Sequence, residues 1–103
     1  MAVDPVTPVA GLVSQVTTGG TAVTVVPGGP NGGFITNPYT AADQGIAVAE
    51  NLYVDAVDMA TTTGNGTTFV IFPGGSWPII PGQTTPTTVN AVSSGHRFSV
   101  TWY

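Results

Sequence analysis

Lysine and cysteine are absent from this chain, and Arg97 is its one basic side chain against Asp4, Asp43, Glu50, Asp55 and Asp58, for a net charge of −4. A single cation cannot supply the phosphate neutralisation that dominates nucleic-acid binding. Attraction to an anionic membrane surface fails for the same reason. Without cysteine there is neither a disulfide framework nor a thiolate metal site, and the redox compartment stays open. No apolar run approaches the ~18–20 residues that cross a bilayer. Residues 1–15 lack the basic start and continuous apolar stretch of a signal peptide, so no export is expected from them.

Charged residues make up 6% of the chain, against about 25% in an ordinary soluble domain. Disorder does not follow, because disordered chains combine high net charge with few aromatic and β-branched residues. Here hydrophobic residues reach 42%, and Val, Ile, Thr, Phe, Tyr and Trp recur throughout. A chain of 103 residues has room for one domain with one core. Lysine is the usual device for blunting exposed sheet edges. Its absence implies a surface of Thr, Ser, Asn, Gln and Gly, much of it covered by partners in the working state.

Residues 1–20 place Pro5, Pro8 and Gly11 among Val3, Val6, Val9, Leu12, Val13 and Val16. The prolines argue against a helix before Leu12, and the segment reads as an extended N-terminal arm. Its valines and Leu12 are candidate contacts to another subunit, or to the chain's own domain. From residue 21 onward the pattern is strand and turn. Residues 21–26 form a β-branched run closed by the turn sequence PGGPNGG, and residues 33–36 suit a short strand ended by Asn37-Pro38. Thr40 can cap one helical turn over 40–44, stopped by Gly45. In residues 46–57, Leu52 and Val54 alternate with Tyr53 and Asp55, the period of a half-buried strand.

The continuous apolar run in residues 67–72 predicts a central strand covered on both faces. Pro78 assigns 76–80 to an edge or bulged strand. Residues 87–92 and 97–103 complete the set, the last with Phe98, Val100 and Trp102 on one face. Some seven short strands between Gly/Pro turns predict an all-β fold, a single antiparallel β-sandwich or jelly-roll-like domain over 21–103 behind the arm.

Few residues carry chemistry. His96 beside Arg97, with Ser93, Ser94, Asp55 or Asp58, could complete a hydrolytic set, but the strained G-x-S-x-G elbow is absent. The structural reading is preferred: Gly95 turns the chain, His96 bonds a carbonyl or another subunit, and Arg97 pairs with a carboxylate. Glu50, Asp55 and Asp58 match no defined calcium loop, and alternation puts Glu50 and Asp55 on opposite strand faces, so they read as solvated turn carboxylates. PGGPNGG lacks the Lys-Ser/Thr end of a phosphate cradle. Trp102 is in phase with the core, which leaves Trp77 and Tyr103 as candidate contact residues for protein or, less favoured, carbohydrate. No catalytic residue, metal or cofactor is expected, and the chain reads as a non-enzyme.

The stretches GGFITNP (32–38), LYVD (52–55), GTTF (66–69) with Pro73-Gly74, and GHRF (95–98) give residues 20–103 a general style that resembles the capsid decoration, or cement, proteins of tailed phages. That resemblance implies a homo-oligomer, a trimer by preference, on the capsid exterior of the virion after synthesis in the host cytoplasm. Its partner would be the major capsid protein, which it would clamp against internal pressure, with no nucleic acid or membrane bound. The alternative is a carbohydrate- or receptor-binding β-module of a phage tail or fibre.

Overall fold

The computed structural model describes residues 10–25, 30–83 and 85–103. In chain order the elements are β1 (Ala10–Val16), β2 (Val23–Val25), β3 (Gly33–Thr36), α1 (Ala41–Gln44), β4 (Leu52–Asp55), β5 (Phe69–Ile71), β6 (Ser76–Ile79), β7 (Thr87–Asn90) and β8 (His96–Trp102). They build an all-β fold of two four-stranded antiparallel sheets, ordered β1-β8-β3-β6 and β2-β7-β4-β5. Among these strands the chain changes sheet at every connection except β4 to β5, so no sheet can form from sequence neighbours alone.

β8 organises the first sheet. His96, Phe98, Val100 and Trp102 are buried, while Arg97, Ser99 and Thr101 face outward. This period of two puts every apolar residue of the strand on one face. β1 and β3 pair on either side of β8, with Leu12 and Ile35 both opposite Val100. The second sheet contributes Val25, Leu52, Val54, Ile71 and Val89 to the same core cluster, which thus draws on both sheets. α1 is one turn: Thr40 Oγ1 accepts from Asp43 N–H, and Gly45 closes the helix at φ 74 with its own N–H donating to Ala42. The left-handed conformation at that cap suits glycine and explains why the helix stops there.

Two expectations change. The segment read as an arm over 1–20 contains β1, a seven-residue strand paired along its whole length with β8. Residues 1–9, with Val3, Val6 and Val9, lie outside the described residues, and for Leu12 and Val13 only the backbone is described.

The apolar run over 67–72 is not a central strand. β5 is an edge strand of its sheet, and Phe69, Val70 and Phe72 are 62%, 43% and 68% exposed. The strand covered on both faces is β7, whose four residues are all buried. The reason is chemical. Thr88 and Asn90 point away from the core and bind the backbone of the loop after β4, with Ala60 N–H donating to Thr88 Oγ1 at 2.9 Å and Asn90 Nδ2 donating to Ala60 O at 2.9 Å. Polar outward residues pull a loop down over β7, whereas the apolar outward residues of β5 offer it no partner.

At Gly33, where β3 runs between β8 and β6, a Cβ would collide with the carbonyl oxygen of Thr101 and come within 2.9 Å of the Trp102 ring. Backbone cannot yield as a flexible side chain does. Gly33→Ala should therefore lower the unfolding free energy by about 2 kcal/mol or more, read from urea denaturation. A change below about 0.5 kcal/mol would show that β3 and β8 do not approach this closely.

Candidate functional site

Three features concentrate chemistry: a buried amide network where the sheets meet, a buried carboxylate that folds a loop, and an apolar strand edge.

The network centres on Asn37, which follows β3 and is fully buried with Gln44 and His96. Its backbone exchanges two hydrogen bonds with the turn between β5 and β6, Asn37 N–H to Gly75 O and Gly74 N–H to Asn37 O. Both hydrogens of its Nδ2 go to carbonyls, Glu50 O at 3.0 Å and Ile71 O at 2.9 Å. Carbonyls only accept, so the amide orientation is settled and Oδ1 faces the other way. There it accepts from Gln44 Nε2 at 3.1 Å and from His96 Nε2 at 2.8 Å. His96 must therefore carry its proton on Nε2, with Nδ1 as a bare lone pair. Nδ1 is buried and has no partner among the described residues.

Gln44 completes the join. Its Nε2 also donates to Pro38 O at 2.7 Å, and its Oε1 accepts from Glu50 N–H at 2.8 Å, which holds the lead into β4 against the end of α1. The carboxylate of Glu50 is engaged by Ser93, at 2.6 Å through the hydroxyl and 3.2 Å through the N–H. Ser94 Oγ accepts from Gly19 N–H. The serines nearest to His96 in sequence are thus tied into loops, and the imidazole is committed to an amide oxygen. The carbonyl expected to bind His96 is a side-chain one. Arg97 is exposed on β8 with its side chain beside Gly45.

Asp55 differs from the solvated carboxylate its sequence suggests. It is 1% exposed. Oδ1 accepts from the N–H groups of Val57 and Asp58 at 2.8 and 2.9 Å. Oδ2 accepts from Thr67 Oγ1, Thr68 Oγ1 and Asn65 Nδ2 at 2.6, 3.1 and 3.2 Å. Burial alone would push its pKa up, but the donors on Asp58, Thr67, Val57 and Asn65 outweigh burial and hold the carboxyl far below the usual carboxylate range. It stays ionised with neutral donors as its whole coordination shell. Among the described residues no cluster of three or more acidic, His or Cys side chains is placed to hold a metal ion.

The apolar edge lies on β5 and the turn after it. Phe69 touches Trp77 of β6 with ring centroids 6.5 Å apart, and Trp77 packs in turn on the core. Tyr39 is 75% exposed and lies over Gly74 of the turn, 3.1 Å from where a Cβ would stand. Val70 and Phe72 are exposed as well, on the strand face opposite Phe69. Of the expected contact residues, Trp77 lies against this edge through Phe69. Tyr103 does not: it leans against Phe34 at 5.7 Å, and Phe34 is on β3. Sequence reasoning missed Asn37, Gln44 and the coordination of Asp55, and it placed the exposed phenylalanines inside.

No protein-family model, curated protein or solved structure matches the chain.

Burial drives the pKa of His96 below its ordinary 6.5, against a smaller upward pull from the charge of Glu50. The unfolded chain then binds the proton more readily than the folded one, so stability is complete above about pH 6.5 and falls as the pH drops below it. The thermal midpoint should decline from about pH 7 to about pH 5.5. In His96→Gln, whose amide can still donate to Asn37, the decline should flatten. Parallel profiles for the two proteins would remove His96 as the cause.

Proposed function

We propose that this chain is a non-enzymatic structural component of a tailed-phage virion, a capsid decoration protein that binds major capsid subunits on the head exterior as a homo-oligomer, by preference a trimer. In this reading the two sheets stack as a jelly-roll-like β-sandwich, and residues 1–9 are the arm ahead of β1. The observation that carries it is the exposure of Phe69 and Val70 on the β5 edge strand, with exposed Phe72 just after it, on an edge that no lysine protects. An uncovered apolar edge is an aggregation liability for a free monomer and an asset for a subunit that spends its life docked. A near-uncharged surface also lets two proteins pack without desolvating ions. The hydrogen-bonded state of His96, Ser93 and Asp55 is in keeping with structural roles for all three.

A carbohydrate- or receptor-binding module of a tail or fibre would use Trp77 as its platform. Trp77 is half-buried against Phe69 and the core, which leaves little free ring face for stacking a sugar.

The full-length chain should co-sediment with heads built from the major capsid protein, and removal of residues 1–9, which spares β1, should weaken binding at least tenfold. Absence of binding by the full-length chain would overturn the capsid reading, and glycan binding lost in Trp77→Ala would replace it with the alternative.

A further inference from the structure

Asparagine is followed by glycine twice, at Asn31-Gly32 and Asn65-Gly66. Glycine carries no side chain to shield its nitrogen, so in such pairs that nitrogen can reach the amide carbon of the preceding asparagine, a thermolabile residue. Both glycines hold a left-handed backbone, φ 77 at Gly32 and φ 91 at Gly66, and both asparagines are exposed. Main-chain conformation and solvent access therefore do not tell the two pairs apart. The asparagine side chains do.

Asn65 is locked. Its Nδ2 donates to Asp55 Oδ2 at 3.2 Å and to Met59 O at 3.0 Å. Its Oδ1 accepts from the N–H groups of Thr67 and Thr68 at 3.1 and 3.0 Å, with their hydroxyls at 3.2 and 2.9 Å. To bring Cγ onto Gly66 N the amide must turn out of these bonds, and the carboxylate left by the reaction would face the buried, ionised Asp55. Asn31 is held differently. Among the described residues it is engaged through its backbone alone: its N–H donates to Tyr103 O at 2.9 Å, and Tyr103 N–H donates to Gly32 O at 2.9 Å.

We propose that Asn31 is a self-modification site, which loses its side-chain nitrogen by reaction with Gly32 and ends as aspartate or isoaspartate, while the fold protects Asn65 from the same reaction. Gly32 N gives its proton to solvent and attacks Asn31 Cγ. The N–Cγ bond forms, the Cγ–Nδ2 bond breaks, and the departing nitrogen takes a proton from water and leaves as ammonia. Water then opens the cyclic imide. Opening at Cγ restores the normal chain with aspartate in place of Asn31, and opening at the main-chain carbonyl routes the chain through Cβ and Cγ as isoaspartate. Either product adds one negative charge to the net −4. Isoaspartate also inserts an atom between the Asn31 N–H and the Gly32 C=O that bracket Tyr103, so the two bonds cannot both persist. The reaction needs no reagent but water, and it is independent of the capsid reading.

Peptide mapping by mass spectrometry of protein aged in mildly alkaline buffer, folded and in urea, tests the assignment. In urea the two pairs should react at comparable rates. In the folded protein Asn31 should react about tenfold faster than Asn65 or more. Hydrogen exchange reads the consequence: the Tyr103 amide should lose protection in the isoaspartate form and keep it in Asn31→Asp, which carries the same charge on a chain of normal length. Folded protein in which Asn31 stays intact, or in which Asn65 reacts as fast as Asn31, would overturn the inference. So would an Asn65 that reacts faster folded than unfolded, since the Thr67 and Thr68 donors would then be activating its carbonyl instead of holding it. Protection of Tyr103 retained in the isoaspartate form would refute the break placed there.

Discussion

The side-chain amide of Asn37 is the constraint on which the two sheets depend. Its four hydrogen bonds reach the lead into β4, the end of β5, the last residue of α1 and the first residue of β8. Its backbone holds the turn between β5 and β6. Because the chain changes sheet at nearly every connection, the elements that meet there come from distant parts of the sequence. A hydrophobic core is non-directional and tolerates small slips, whereas an amide with two donors and one acceptor, each matched, accepts one arrangement. Asp55 plays the same part on the outer side of the second sheet, where five donors from Val57, Asp58, Asn65, Thr67 and Thr68 converge on one carboxylate. Below the ordinary carboxylate range its protonation in the unfolded chain sets an acid limit to stability that is distinct from the one set by His96.

Polarity is therefore distributed against the common pattern. Asn37, Gln44, Asp55, Thr88, Asn90 and His96 are buried, while Tyr39, Phe69, Phe72 and Ile80 are exposed. The buried polar groups are nearly all satisfied, so they rigidify the domain at little cost. Of the exposed apolar groups, Phe69, Val70 and Phe72 lie on and just after the β5 edge strand. A fold stitched together internally by amides and hydroxyls needs few surface charges for its own stability.

Much of this architecture was legible in the sequence where local chemistry acts alone. Residues 33–36, the single helical turn with its Thr40 and Gly45 caps, the edge position of the Pro78 strand and the alternating last strand depend on turn residues and on a period of two. The burial of β7 and the exposure of β5 depend on which strand a distant loop covers, and periodicity does not report that. Asp55 looked like a solvated carboxylate because its donors lie 2 to 13 positions downstream in a loop of Thr, Gly and Asn. Asn37 looked like an ordinary residue before a proline. Its distinguishing contacts come from as far away as His96, 59 positions on, and no local signal marks them.

Asn37→Asp tests this dependence most directly, since the side chain keeps its size and loses only the two donors that face the carbonyls of Glu50 and Ile71. With oxygen set against oxygen in a buried site, urea denaturation should show a loss of about 3 kcal/mol or more, or a chain that no longer folds cooperatively. A loss below about 1 kcal/mol with unchanged cooperativity would mean that the core alone aligns the sheets and that the amide is incidental.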